Sequence, residues 1–419
     1  MATLERIRYT PQTIVVEDGT VSYSESSRRV IAGLPQLFWA DGSPWREANL
    51  WALERASSNE ALLKTVAGNL NGLLHYANFL EERDLLWLAF PVRKANRCLV
   101  QYRGSLVEAR DAGLMSPSTV SEYMRNAVSF YRWARAKGLL DPNMPLWQDR
   151  AVYIQYFDTV GFERTMVQVS TDLAIPNRKR PGILLEDGLL PVSAEDRELI
   201  LDFAKNNASP ELYRMLALGF FTGMRIGSIC DLKIQTLKNA IPAPEAPGLM
   251  RLALGPGASP PVNTKFGVTG HVWIPRALLD DLLEYATSLR RSKRQAEAQP
   301  GDRGLLFLTR FGNPYCRRDT EQSSAINTEM ATLRRSGVAA GLKVLKSFHF
   351  HQSRCTFATE VATLALKTTD PINAIALVKN ALLHKDEATS FKYIKFIAST
   401  PAKRAAADEF TKAFAGIGT

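Results

Sequence analysis

Between residues 44 and 138 apolar positions recur every three or four residues, predicting helices over 47–56, 60–82, 95–111 and 118–137. Gly113 and Pro117 are among the breakers between them. In the last helix Val120, Tyr123, Met124, Ala127, Val128, Tyr131 and Ala134 form one apolar stripe. Ser118, Ser121, Arg125, Ser129 and Arg132 fall opposite, a face suited equally to solvent or to a DNA backbone. Upstream, the alternation of residues 13–23 around Asp18 and Gly19 predicts a small hairpin. The periodicity stops over 171–190, where two prolines, a glycine and the consecutive cations Arg178, Lys179 and Arg180 give the composition of a linker. Ser193-Ala-Glu-Asp196 then has the form of a capping box. Helices are expected over 194–206, 211–222, 276–297, 320–340, 352–366, 371–382, 386–396 and 402–415, with short strands at 249–254 and 271–274. The chain thus divides into an N-terminal extension (1–45), a helical unit (46–170), a basic linker (171–190), a mixed unit (191–400) and a C-terminal helix or tail (401–419). The fold class expected is mainly α with a small β-sheet.

Composition adds a partner class. Of 419 residues, 46% are hydrophobic and 22% charged, as in ordinary globular proteins, yet the net charge is +10. That excess favours a polyanion, nucleic acid being the usual one. Cys98, Cys230, Cys316 and Cys355 are scattered without a C-x-x-C pair, which predicts reduced thiols rather than a disulfide frame or zinc site. The first residues lack a signal-peptide core, and the apolar run 85–92 is too short to span a bilayer. A soluble cytoplasmic, nucleoid-associated protein with no membrane partner is expected.

The chemistry lies in the second half. Arg225 in Thr222-Gly-Met-Arg has Ile229 and Leu232 at helical offsets, and Arg354 in His351-Gln-Ser-Arg has Phe357, Ala358 and Val361. Both guanidiniums therefore sit on apolar faces and need a partner, either a buried carboxylate or a phosphate gripped by the guanidinium fork; two such arginines in one unit, one of them in an H-x-x-R helix, favour the phosphate. His351 is one turn before Arg354 and can face the same cleft. Lys265 lies between the two predicted strands. His384 and Tyr393 would be roughly 13 Å apart on one straight helix, on opposite faces, so the chain must bend if both act at one centre. Unaided, Tyr393 reads more readily as a core aromatic beside Phe391, Ile394 and Phe396 than as a nucleophile. His349 and His351 share an H-x-H spacing but lack a nearby third metal ligand.

In that order these motifs resemble the tyrosine recombinase (integrase) family. The resemblance spans roughly residues 60–165 and 190–400. Upstream, Ser116-Pro-Ser-Thr-Val-Ser121 and Phe130-Tyr-Arg-Trp-Ala134 resemble the family's helical core-binding domain. The resemblance implies a two-domain clamp on double-stranded DNA and a homotetramer on paired sites, with accessory DNA-bending or recombinase partners. It implies attack by Tyr393 to give a 3′-phosphotyrosine, charge stabilisation by Arg225 and Arg354, and protonation of the 5′-oxygen by Lys265. His351 would assist proton transfer at the tyrosine and His384 would bond the phosphate. Neither metal, ATP nor other cofactor is required, and no G-x-x-x-x-G-K-[ST] loop is present in the sequence. On the helical face before the linker, Arg125 and Arg132, together with Arg178, Lys179 and Arg180, are the candidate DNA contacts.

Three positions depart from the family pattern. Ser228 replaces an acidic residue, so another group must orient Arg225. Leu383 stands where a glycine commonly precedes the second histidine. Residues 255–264 make a longer, Pro-rich approach to Lys265. A type IB topoisomerase-like enzyme, or a non-catalytic DNA-binding derivative of an integrase, are the alternative readings.

Overall fold

The structure is a computed structural model that describes residues 1–17, 20–26, 30–58, 61–157, 163–176, 185–244, 246–316 and 323–397. It contains two compact units, Met1–Pro181 and Gly182–Thr419.

In the first unit, strands β1 (Thr3–Tyr9) and β4 (Ile31–Phe38) pair antiparallel, as do β2 (Gln12–Glu17) and β3 (Thr20–Glu25), the latter on the predicted hairpin. Four helices follow: α1 (Arg46–Ser57), α2 (Leu63–Glu82), α3 (Cys98–Asp111) and α4 (Pro117–Ala136). Their inward faces meet at a core containing Trp45, Trp51, Tyr76, Tyr102, Phe130 and Tyr131. Ala2 and Leu37 join that core, so the segment before α1 is packed into the helical unit rather than trailing from it. Helix α4 starts as Ser116-Pro117 dictates: the Ser116 hydroxyl accepts the Thr119 N–H, and proline occupies the first turn. A further antiparallel pair, β5 (Asp149–Phe157) and β6 (Glu163–Thr171), follows where periodicity predicts no strands. Both strands are rich in β-branched and aromatic residues, a signal of pleated rather than helical chain.

The second unit opens with α5 (Ala194–Asn207), capped by Ser193, and α6 (Pro210–Thr222), capped by Ser209. The short helices α7 (Ile226–Cys230) and α8 (Ile234–Lys238) lead into the sheet β7 (Ile241–Pro242), β8 (Leu249–Leu254) and β9 (Gly270–Pro275), ordered 7-8-9. The predicted helix 276–297 is two helices, α9 (Arg276–Thr287) and α10 (Leu289–Glu297). Ser288 breaks them with extended backbone and caps α10 through the Arg291 N–H. Then come α11 (Ser324–Ala339), α12 (His351–Thr368) and α13 (Pro371–Leu382), and residues 387–397 are also helical. Phe220, Leu252, Ile274, Phe307 and Phe348 are buried in the main core, while α12, α13 and Tyr393 share a second apolar cluster. Among the described residues no helix is long and apolar enough to cross a membrane. All four cysteines are buried thiols. The predicted helix over 402–415 lies outside the described residues.

Candidate active site

The local folding of Thr222-Gly-Met-Arg explains how Arg225 is presented. Helix α6 ends on Gly223, whose φ of 64° a side chain would resist. A Cβ there would also lie 2.4 Å from the Phe357 ring and 2.7 Å from a Leu382 methyl. The Thr222 hydroxyl donates to Leu218 O at 2.6 Å and accepts the Met224 N–H at 3.3 Å, holding the turn. The chain then re-enters helix with Arg225 at the N-cap of α7, its side chain mostly buried.

Arg354, one turn into α12, is 2% exposed. It donates to the Gly223 carbonyl and, at 3.0 Å, to the Leu382 carbonyl. One guanidinium therefore joins the ends of α6, α12 and α13. Burial and the nearby Arg225 charge push its pKa down to about 10, against the opposing pull of Glu186, so it remains a cation at neutral pH. After α13, Leu383 takes the left-handed conformation (φ 51°, ψ 50°) that glycine adopts readily. The turn expected of the family's glycine is thus made by a leucine, at a cost of roughly 1–2 kcal/mol. It turns the chain so that His384 is buried, with Nδ1 2.8 Å from the Ser390 hydroxyl.

Arg225, Arg354, His384 and His351, the first residue of α12, all converge on one carboxylate, Glu186, which the sequence reading placed in the linker. Its Oε2 lies 3.4 Å from Arg225 Nη2, 3.4 Å from His351 Nε2 and 3.7 Å from Arg354 Nε. Its Oε1 lies 2.7 Å from His384 Nε2. Burial raises the carboxyl's pKa, but the close imidazoles of His351 and His384 and the charge of Arg354 outweigh it, leaving Glu186 ionised far below the usual carboxylate range. Burial, helped by the charges of Arg354 and Arg225, lowers the His384 pKa below that of an ordinary imidazole against the pull of Glu186, which favours the neutral ring. The carboxylate alternative for both arginines is therefore realised, and the group that orients Arg225 in place of an acid at Ser228 is Glu186. The pairing is unbalanced: two guanidiniums face one carboxylate, and the buried Nε atoms of Arg225 and Arg354 lack hydrogen-bond partners. Buried Arg291 is different. Its donors are consumed by the carbonyls of Arg303, Leu305 and Leu306 and by the Gln295 side chain. Arg225 and Arg354 retain capacity for an anion; Arg291 does not.

Lys265 lies on the β8–β9 connection, in a tight turn where Phe266 has φ 64°. It lines one small cleft together with Arg225, Ser228, Arg354 and Leu383. Lys265 and Lys385 both place their ammonium groups over the exposed Phe266 ring, at 5.6 and 5.5 Å. Tyr393 is on the helical segment 387–397 and fully buried. Its ring stacks on that of His384 at 6.1 Å, so the chain does bend between them. The hydroxyl points to Cys355 Sγ at 3.8 Å. Burial and the neighbouring Cys355 and Glu186 raise its pKa far above that of an ordinary phenol. Arg225, His351, Arg354 and His384 are thus gathered around Glu186, with Lys265 on the same cleft and Tyr393 behind His384.

Of the remaining candidates, Arg125 is exposed on α4. Arg132 pairs with Asp149 at 3.2 Å and covers the Trp147 ring. Arg178, Lys179 and Arg180 lie outside the described residues. Sequence reasoning missed Glu186 and Ser390. The signal for Glu186 is an acidic turn, Glu186-Asp-Gly188, between the leucines Leu185 and Leu189, which pack around Tyr393 and α12.

No family model matches the chain, and no curated protein matches it. Solved structures do. A variant Tn1549 transposon integrase in complex with transposon right end DNA is 14% identical, covering 86% of this chain and 99% of that one, with a TM-score of 0.49. A lambda integrase dimer bound to a COC′ core site is also 14% identical, covering 83% and 93%, with a TM-score of 0.48. XerA recombinase is 16% identical, covering 83% and 92%, with a TM-score of 0.34.

Proposed function

We propose that this chain is a site-specific DNA recombinase that breaks and rejoins strands through a 3′-phosphotyrosine on Tyr393. The observation that carries the reading is the convergence of Arg225, His351, Arg354 and His384 on a single anion position, with more cationic donors than the resident carboxylate uses. Two guanidiniums preorganised in a desolvated cleft suit the charge that builds on the non-bridging oxygens during phosphoryl transfer. His384, neutral and held by Ser390, donates to the same phosphate. The Tyr393 oxygen attacks phosphorus, its proton passes to His351, and the 5′-oxygen leaves with a proton from Lys265. One phosphodiester becomes a tyrosyl phosphodiester and a 5′-hydroxyl, so the bond count and energy are conserved for religation without ATP.

Each protomer offers one such tyrosine, and two duplex sites present four strands, so exchange between them calls for a homotetramer on double-stranded DNA. The integration, excision or transposition of a mobile element is the biological output this reading favours. The test is to incubate the protein, in excess chelator, with DNA flanking its own gene and to map covalent ends by sequencing. Protein-linked 3′ ends at discrete positions are expected. Linkage to 5′ ends, or cleavage that appears only on adding magnesium, would overturn the chemistry.

A further inference from the structure

A phosphate that entered this site would find its position taken. Arg225, His351, Arg354 and His384 already face an anion supplied by the chain itself, and it resembles the substrate in the features they recognise: one negative charge and two equivalent oxygens open to a guanidinium. The segment carrying Glu186 is a single short turn. Its internal backbone bonds, Leu185 to Leu189, Gly188 to Leu185 and Leu189 to Glu186, are 3.2–3.3 Å long. Beyond it, Gln352 bonds the Leu190 carbonyl and the Thr356 hydroxyl accepts the Val192 N–H, each at 3.0 Å. Leu185, next to Glu186, is buried in the apolar cluster that also encloses Tyr393 and Cys355. Any movement that withdraws Glu186 pulls on the packing that hides the tyrosine.

We propose that Glu186 is an internal substitute for the scissile phosphate, blocking the site until DNA displaces it, and that its withdrawal with Leu185 loosens the packing around Tyr393. This rests on reading the site as a phosphate site, and it assigns that site a built-in restraint. A tethered anion competes at an effective concentration on the order of millimolar or above, so free anions bind the unaltered protein weakly. Four side chains arranged around one anion also keep their geometry while substrate is absent, since like-charged Arg225 and Arg354 would otherwise repel.

The test uses inorganic phosphate as the probe, with calorimetry on the full chain and its Glu186→Gln and Glu186→Ala variants. Removing the carboxylate should tighten phosphate binding by about tenfold or more, Ala more than Gln because the amide still occupies part of the space. Either variant should melt earlier than wild type, and phosphate should restore the melting temperature by more than it raises that of wild type. Phosphate binding no tighter than wild type, with no added thermal rescue, would overturn the proposal. On nicked DNA, both variants should reach half-maximal cleavage at a lower DNA concentration. A higher requirement would make Glu186 a positioning carboxylate instead and also overturn it. Tight phosphate binding by the variants, with no covalent adduct from any form of the protein, would uphold the blocking role and remove the recombinase reading.

Discussion

Replacing Arg354 by alanine should loosen the second unit well before it reports on catalysis. The guanidinium is 2% exposed and bonds two main-chain carbonyls, Gly223 and Leu382, besides facing Glu186. Each carbonyl left dry and unpaired costs about 1–3 kcal/mol. Losing one partner of a buried ion pair costs about 3–5 kcal/mol in comparable cases, and the two estimates overlap because they describe the same vacated space. A local loss of about 4 kcal/mol is therefore expected, on the order of a thousandfold in an opening equilibrium. Arg354→Lys should recover part of it, since an ammonium keeps the charge but cannot span both carbonyls. Amide hydrogen exchange read by mass spectrometry suits the question, because it follows peptides from α6, α12 and α13 separately. Peptides over His351–Thr368 should lose protection in the order Ala, then Lys, with the exposed Arg125→Ala variant as a control. Protection within tenfold of wild type in Arg354→Ala would refute the idea that this arginine joins the three helix ends.

Gly223→Ala should cost about 2–5 kcal/mol, from left-handed strain plus the collision with Phe357 and Leu382, and a thermal melt showing under 1 kcal/mol would refute that geometry. Lys265→Ala should slow cleavage by roughly 100- to 10,000-fold if the lysine is the general acid. A substrate with sulfur as the bridging 5′-atom should rescue Lys265→Ala but not Arg225→Ala, and equal rescue of both would reduce Lys265 to a phosphate contact. Stability should fall with acid in two windows: His384, depressed in the fold, withdraws its contribution below about pH 6.5, and Glu186, also depressed, withdraws its own below about pH 4.3. Urea unfolding of wild type and Glu186→Gln should therefore converge as pH falls from about 5 to 2 at up to about 1.4 kcal/mol per unit, whereas parallel curves would contradict the Glu186 assignment.

The helices of both units were legible because each carries an apolar stripe and, in several cases, its own start signal: Ser116-Pro117, Ser193 and Ser209 all cap as their sequences suggest. Strands β8 and β9 were legible from short apolar runs between glycines and prolines. The β5–β6 pair was not, because a helical reading was carried past its last well-marked helix. The arginines announced themselves by sitting on apolar faces, and the His384–Tyr393 spacing required a bend, which falls at residues 384–386 before the helical segment 387–397. Glu186 was hidden for a physical reason. Its partners lie 39 to 198 residues away in the chain, so neither periodicity nor local spacing connects it to them. Only the unmet need of two buried guanidiniums for a counter-anion pointed to such a residue, and that need does not say where in the chain it lies.

The most direct measurement is to react the protein with a nicked duplex from which the cleaved strand end diffuses away, and to identify the trapped peptide by mass spectrometry. Wild type should carry a 3′-phosphonucleotide on Tyr393 in the presence of chelator, while Tyr393→Phe should bind the same duplex and trap nothing. A covalent complex formed by Tyr393→Phe, or a wild-type adduct on another residue such as Tyr315, whose hydroxyl bonds Glu329 at 2.9 Å, would contradict it.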